Sequence, residues 1–403
     1  MQDATAPAHH PPSPRPGGHR GGWLYPSLAI ALGCLVAVAL VEFGVRVSQP
    51  RSLAPPVTVA HPDYNHALRP GLRVRVEVTP EKYPVDLRTN ALGLAQAREV
   101  ASPRPADILR VLVLGDSFVQ GLGEGQNLPA LVEQALTGWR SADGRRLEFV
   151  NGGTQSYSAL LHRARWRHQL AHTRPDVVIV FPDLTDVYDD AVRYRPLAEH
   201  AGNELVRVRP SAAMRMRDET RRVFGYDHVP LHAWKYVVAG LADRRARALA
   251  RDDDERRIFA HALDDPAAPS AATRTAVAYA TAQVDALVRQ LRQDGAHVAL
   301  MVYPHEAQLA ALARLGEHGT PARLNRLFAD ALAALAARRA VPYAAFFAPF
   351  ADALRNGHAL YFDGDMHFNV HGLNLLAQRV SATLRDHGAA FLGSALVPAA
   401  DAH

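Results

Sequence analysis

The sequence predicts an α/β protein: a parallel sheet covered by helices on both faces, behind an N-terminal transmembrane helix. Three observations carry that expectation. Ile108 to Leu114 is a short run of branched and aliphatic residues, with the length and composition of a strand buried on both faces. Further apolar runs alternate with amphipathic stretches as far as Phe347, the pattern of successive strand–helix–strand units. Trp23 to Val41 passes about 19 residues without a charge, enough to cross a bilayer as a helix.

The chain has 403 residues, 48% hydrophobic and 21% charged, enough for one large domain with insertions or two smaller ones. Its formal net charge of +5 suggests nucleic acid at first sight. Arginines are interspersed with acidic residues along the whole length and form no dominant basic block, so no nucleic-acid partner is expected. Lys82 and Lys235 are the only lysines, a bias expected of a GC-rich bacterial genome. Cys34 is the only cysteine, which excludes a disulfide within the chain. No internal repeat is visible.

Residues 1–22 are rich in Pro, Gly and His, lack apolar periodicity and read as a disordered tail. In the apolar run that follows, Trp23 and Tyr25 stand where interfacial aromatics belong. A cleaved signal peptide is the rival, but Val41 to Val47 offers no small-x-small cleavage site. A buried core helix is the other alternative. Arg15 and Arg20 precede the span and Arg46 and Arg51 follow it, so the charges alone do not fix its orientation.

Ser52 to Ala60, with Pro55-Pro56, reads as an extended linker. Tyr64 to Asn90 alternates loosely and suggests a hairpin, or edge strands added to the main sheet. After the 108–114 strand, Gln120 to Gly125 is glycine-rich but lacks both the Gly-Lys-Ser/Thr and the G-x-G-x-x-G patterns, so it reads as a loop. Asn127 caps an expected helix from Leu128 to Trp139. Leu147 to Val150 is the second strand. Leu160 to His172 is a helix on which His162, His168 and His172 read as a solvated face, with no carboxylate spaced to complete a metal site. Asp176 to Phe181 is the third strand, followed by an acidic loop with Asp183, Asp186, Asp189 and Asp190. That loop has neither a histidine nor a calcium-loop glycine, so no metal is expected there.

From about 191 to 265 the periodicity weakens and charges are dense, the signature of an insertion lying over one edge of the sheet. Within it Leu231 to Leu249 is a plausible helix and Arg251 to Arg257 a charged surface run. Ser270 to Gln293 is a long amphipathic helix, His297 to Tyr303 the fourth strand, Pro321 to Arg338 another helix, and Val341 to Phe347 the fifth strand. A last helical run spans Leu373 to Leu384.

Two stretches carry chemistry. The first strand ends in Gly115-Asp116-Ser117, which delivers a hydroxyl at the carboxyl edge of the sheet, where open α/β sheets bind ligands. Far along the chain, Tyr361-Phe-Asp-Gly-Asp-Met-His-Phe-Asn369 sets Asp365 two residues before His367. A serine needs a base to attack near neutral pH, and the base needs an acceptor to hold its tautomer. Asp363 is an alternative acceptor and His371 an alternative base.

A serine early in the chain with Asp and His together late resembles the SGNH/GDSL hydrolase superfamily. Leu87 to Leu94 looks like the segment before the serine strand in its membrane-anchored, exported members, and Val150 to Ser158 resembles the loop after the second strand. The resemblance covers roughly Pro62 to Gly388. It implies a three-layer α/β/α fold with a flavodoxin-like five-stranded parallel sheet. It also implies a short cytoplasmic tail (1–22), an anchor (23–47), a linker (48–61) and a catalytic domain (62–403) outside the bacterial inner membrane.

The same resemblance assigns Ser117 as nucleophile, His367 as base and Asp365 as its acceptor. The oxyanion hole is implied to comprise the Ser117 N–H, a second N–H at Ser156 or Gly153, and Thr185 in place of the usual asparagine. No cofactor is implied. Three functions compete: an esterase acting on an acylated envelope glycan or another exported ester; an O-acyltransferase using the same triad; and a glycan-binding or assembly protein that kept the fold.

Overall fold

The computed structural model describes residues 23–48, 56–77, 84–249, 268–309 and 326–399. The expected tail, half of the linker, Lys82, the charged run 251–257 and the start of the helix expected from Pro321 lie outside the described residues.

Among the described residues the central sheet has seven strands, not five. They are β1 (Ile108–Leu114), β2 (Trp139–Ser141), β3 (Arg146–Asn151), β4 (Val177–Val180), β5 (His297–Val302), β6 (Tyr343–Ala345) and β7 (Leu396–Pro398). Their order is β6-β5-β4-β1-β3-β2-β7. Five pair in parallel in the flavodoxin-like arrangement, and β2 and β7 extend the β3 edge antiparallel. The two extra strands have three residues each, too short for an alternating pattern to show. Trp139 opens β2 instead of closing the preceding helix, which stops at Ala135.

Strand β1 explains the layering. Leu109, Val111 and Val113 face one core, with the helices Leu128–Ala135 and Val370–Phe391. Leu112 and Leu114 face the other, with Ala159–His168, Ala271–Gln293 and Leu327–Arg339. The period of two in side-chain direction thus turns one apolar run into the centre of two cores. Arg110, in the same strand, is fully buried and paired with Glu148 at 2.5 Å.

Outside the sheet, the 58–88 region forms two separate hairpins, Thr58–His61 with Asn65–Leu68 and Arg73–Glu77 with Pro84–Arg88. Neither joins the main sheet as an edge. The insertion is more ordered than its weak periodicity suggests: a hairpin (Ala198–Ala201 with Glu204–Val208), then the helices Ala212–Val223 and His232–Arg247. The N-terminal helix is Leu24–Ser48, and its apolar segment Tyr25–Ser48 has mean hydropathy 2.5 and no residue buried by the rest of the chain. It is long and apolar enough to cross a membrane.

Candidate active site

Ser117 stands just beyond the carboxyl end of β1, at the start of the one-turn helix Ser117–Gln120. β1 and β4 are neighbours, although β3 intervenes in the chain, so the serine sits at the topological switch point of the sheet. The turn is tight: a Cβ on Gly115 would lie 2.4 Å from Val119 Cγ2, so only glycine fits there. Asp116 caps the short helix by accepting from the Phe118 N–H at 2.9 Å.

The terminal motif folds back onto this turn. His367 Nε2 lies 2.8 Å from Ser117 Oγ, and His367 Nδ1 lies 2.5 Å from Asp365 Oδ1. The same carboxylate oxygen accepts the His367 backbone N–H at 2.8 Å, which fixes the two side chains to each other within a two-residue loop. Asn369 secures the loop from its far side. Its Oδ1 caps Val370–Phe391 by accepting from the His371 and Gly372 N–H groups, and its Nδ2 donates to Ala359 and Tyr361 carbonyls. Asp363 and the side chain of His371 are solvent-exposed, and neither joins this hydrogen-bonded chain.

The expected oxyanion donors are less uniform. The Ser117 N–H has no acceptor among the described residues, and neither does that of Ser156. Ser156 adopts φ +58°, the left-handed conformation that glycine supplies at little cost. Gly153 is needed for packing, since a Cβ there would meet the Gln120 nitrogen at 2.4 Å; its N–H donates to Asn151 Oδ1 at 3.0 Å. Thr185 is buried, and its hydroxyl donates to Asp183 Oδ1 at 2.7 Å.

The acidic residues after β4 do not form a solvated loop. Asp183, Asp186, Asp189 and Asp190 are all buried, as is Asp116 across from them. Burial, reinforced by the neighbouring Asp183, pushes the Asp116 carboxyl well above its usual range, although Phe118 N–H and the Tyr303 hydroxyl (3.2 Å) both donate to it. Burial also raises Asp183; its donors at Thr185 and Asp186, and then the charge of His367, pull the other way. No cluster of metal-ligand side chains occurs among the described residues.

Sequence reasoning missed this surround. Tyr303 and His305 follow β5 and pack on Phe118, with ring centroids 5.1 and 5.8 Å away. Burial, and then His367, holds the His305 imidazole down to about 3. His162, expected on a solvated face, is buried edge-on to Tyr157. The signal that was available is the tightness of the 181–190 segment: an acidic run directly after a fully apolar strand has to lie at the sheet's carboxyl edge.

The 2-1-3-4-5 parallel core, with Ser117, His367 and Asp365 in hydrogen-bonded sequence at its carboxyl edge, resembles the SGNH/GDSL type of α/β/α fold. The family model described as the SGNH hydrolase-like domain of the acetyltransferase AlgX matches residues 263–396, the stretch that contains Asp365 and His367. No curated protein matches the chain. Among solved structures, Axe2, an acetylxylan esterase from Geobacillus stearothermophilus, is 15% identical, with 69% of this chain and 93% of that one covered and a TM-score of 0.39. A lipase/acylhydrolase from Enterococcus faecalis is 11% identical, covering 72% and 97%, with a TM-score of 0.38.

Proposed function

We propose that the protein is a membrane-anchored, exported serine esterase that removes acyl groups from an envelope glycan or another exported ester. The observation that carries this reading is the Ser117–His367–Asp365 chain of hydrogen bonds. In the forward step Ser117 Oγ attacks the ester carbonyl as its proton passes to His367 Nε2. Asp365 accepts from Nδ1–H, which holds the ring and stabilises the imidazolium. The tetrahedral oxyanion is met by the N–H groups of Ser117 and Ser156. Collapse then expels the alcohol, which takes the proton from His367. Water, activated by the same imidazole, releases the acid from the acyl-serine.

Asp116 and Asp183 lie behind the triad and bear on its electrostatics. A buried carboxyl kept protonated adds no charge, whereas an ionised Asp183 near His367 would favour the imidazolium. The anchor reading rests on the apolar segment Tyr25–Ser48, with the amino terminus in the cytoplasm and the catalytic domain outside the inner membrane.

A second reading is O-acyl transfer, favoured by the family match, whose description names an acetyltransferase. It uses the same acyl-serine, with a sugar hydroxyl replacing water. Treating the full chain in detergent with a fluorophosphonate probe tests the shared step: labelling is expected in the wild type and lost in Ser117→Ala. Absence of wild-type labelling would sink both readings and leave a binding or assembly role. Labelled acetyl released as free acetate supports the esterase, and label retained on a glycan acceptor supports the transferase.

A further inference from the structure

We propose that the outward face of the insertion helix His232–Arg247 beds into the headgroup boundary of the bilayer that the N-terminal helix crosses. The inference rests on the anchor reading given above and goes beyond it, because it gives the insertion a partner.

The helix has two apolar stripes. Val238, Ala242 and Ala246 recur at helical spacing and are buried, so they account for its packing within the chain. A second stripe, Trp234, Val237 and Leu241, lies on another side and is 38%, 58% and 36% exposed. Tyr236 beside it and Val223 at the end of the preceding helix are exposed as well. Packing inside the protein accounts for only part of this second stripe: Trp234 meets the Phe224 ring, with centroids 6.3 Å apart, while Val237 and Tyr236 stay exposed.

The position of the span supplies one. Glu42 reaches out of the N-terminal helix and accepts the His232 and Ala233 N–H groups, both at 2.9 Å. Leu231, at the N-cap, offers no side-chain acceptor, so the insertion helix is capped by a residue of the span. At about 1.5 Å per residue, Leu24 to Glu42 rises roughly 27 Å, close to the ~30 Å of a bilayer's hydrocarbon core. The cap therefore falls at the depth of the outer headgroups, and the helix that starts there lies at the interface.

Its chemistry suits that level. Trp234 satisfies its ring N–H on the Phe224 carbonyl at 2.9 Å, which leaves an apolar ring body on the surface, as interfacial tryptophans do. Arg244 and Arg247, exposed at the helix's far end, are placed to meet anionic phosphates. An apolar stripe with aromatic and arginine neighbours is the pattern of a helix lying in the plane of a membrane surface. The partner is therefore a bilayer carrying anionic phospholipid. The insertion would then hold the folded domain against the membrane, where the span alone would leave it free to swing.

The test uses the full chain reconstituted in vesicles of phosphatidylglycerol and phosphatidylethanolamine. In a Cys34→Ser background, single cysteines replace Val237, Leu241 or Asp143 and carry an environment-sensitive fluorophore. Asp143 lies in the β2–β3 turn, at the opposite edge of the sheet from Ser117. Labels at 237 and 241 are expected to lose at least about half their emission to nitroxide-bearing lipid chains and to resist aqueous iodide, and the 143 label to do the reverse. Fluorophosphonate labelling of each variant checks that the domain is folded.

Iodide quenching at 237 and 241 equal to that at 143 overturns the proposal. Shielding from iodide without quenching by the lipid also overturns it, and points to a second protein on this face. Extraction of the protein by alkaline carbonate would instead overturn the anchor reading, so the two failures are separable.

Discussion

Thr185 gives its hydroxyl proton to Asp183: Oγ1 lies 2.7 Å from Oδ1, and the Thr185 amide reaches the same oxygen at 2.8 Å. A donor so engaged is not aimed at an oxyanion, so in the proposed mechanism the two backbone N–H groups stabilise the oxyanion alone. Thr185→Val is therefore expected to change turnover by less than about tenfold, against the roughly 100- to 1000-fold typical when an oxyanion-hole donor is removed. A loss of that larger size on a short-chain aryl ester would show that the hydroxyl swings from Asp183 to the substrate during reaction. Thr185→Asn should support turnover at or above the wild-type rate, because its longer side chain brings an amide donor to this position.

Ser156 has φ +58°, a conformation that costs a side-chain-bearing residue roughly 1–2 kcal/mol and glycine little. Ser156→Gly keeps the N–H and removes the strain. Chemical denaturation should show a gain of about 1 kcal/mol, with kcat held within about threefold. A large fall in kcat in a stabilised variant would mean that the Ser156 side chain itself acts on the substrate.

The competition between histidines has a clear expected outcome. His367 lies between Ser117 and Asp365, whereas His371 is exposed and contributes only its backbone N–H to the Asn369 cap. His367→Ala should remove ester turnover while far-UV circular dichroism stays native. His371→Ala, which keeps the capped N–H, should cost less than about twofold. Activity in the first variant and its loss in the second would reverse the assignment of the base.

What could be read in the sequence follows from the range of the interactions. The β1 strand is legible because burial on both faces makes it a continuous apolar run. Asp365, His367 and Asn369 are legible because they bond within one short loop, so their spacing is their geometry. The acidic residues behind the triad are not: Asp116 follows β1 and Asp183 follows β4, and only the pairing of those two strands brings them together. The burial of His162 is illegible for a related reason. Its helix carries arginines, of which only Arg167 is exposed, and one turn of it is pressed against Tyr157 by the first hairpin, a long-range contact without local signature. The strands β2 and β7 escape because three residues carry no period.

Asp190 supplies the pH test. Its Oδ1 accepts from Ser158 Oγ at 2.5 Å and from the Leu160 N–H at 3.0 Å, but burial dominates and drives its carboxyl up to about 7. The unfolded chain releases this proton near pH 4, so the folded state binds the extra proton between those values. Its contribution to stability is thus fully present below about pH 4 and lost as the pH rises through about 7. Asp190→Asn is permanently neutral, keeps an oxygen for both donors, and should lack that slope. Asp116, Asp183 and Asp186 are raised as well and titrate in both proteins, so the informative quantity is the difference between them. Near pH 4 the two should be about equally stable. By pH 8 the variant should be the more stable, by at most something on the order of 4 kcal/mol, a bound that already includes the attraction of Arg163 for the ionised carboxylate. Urea denaturation at pH 4, 6 and 8 measures this difference. If it does not change with pH, Asp190 is ionised in the folded protein throughout and burial is not what sets its proton affinity.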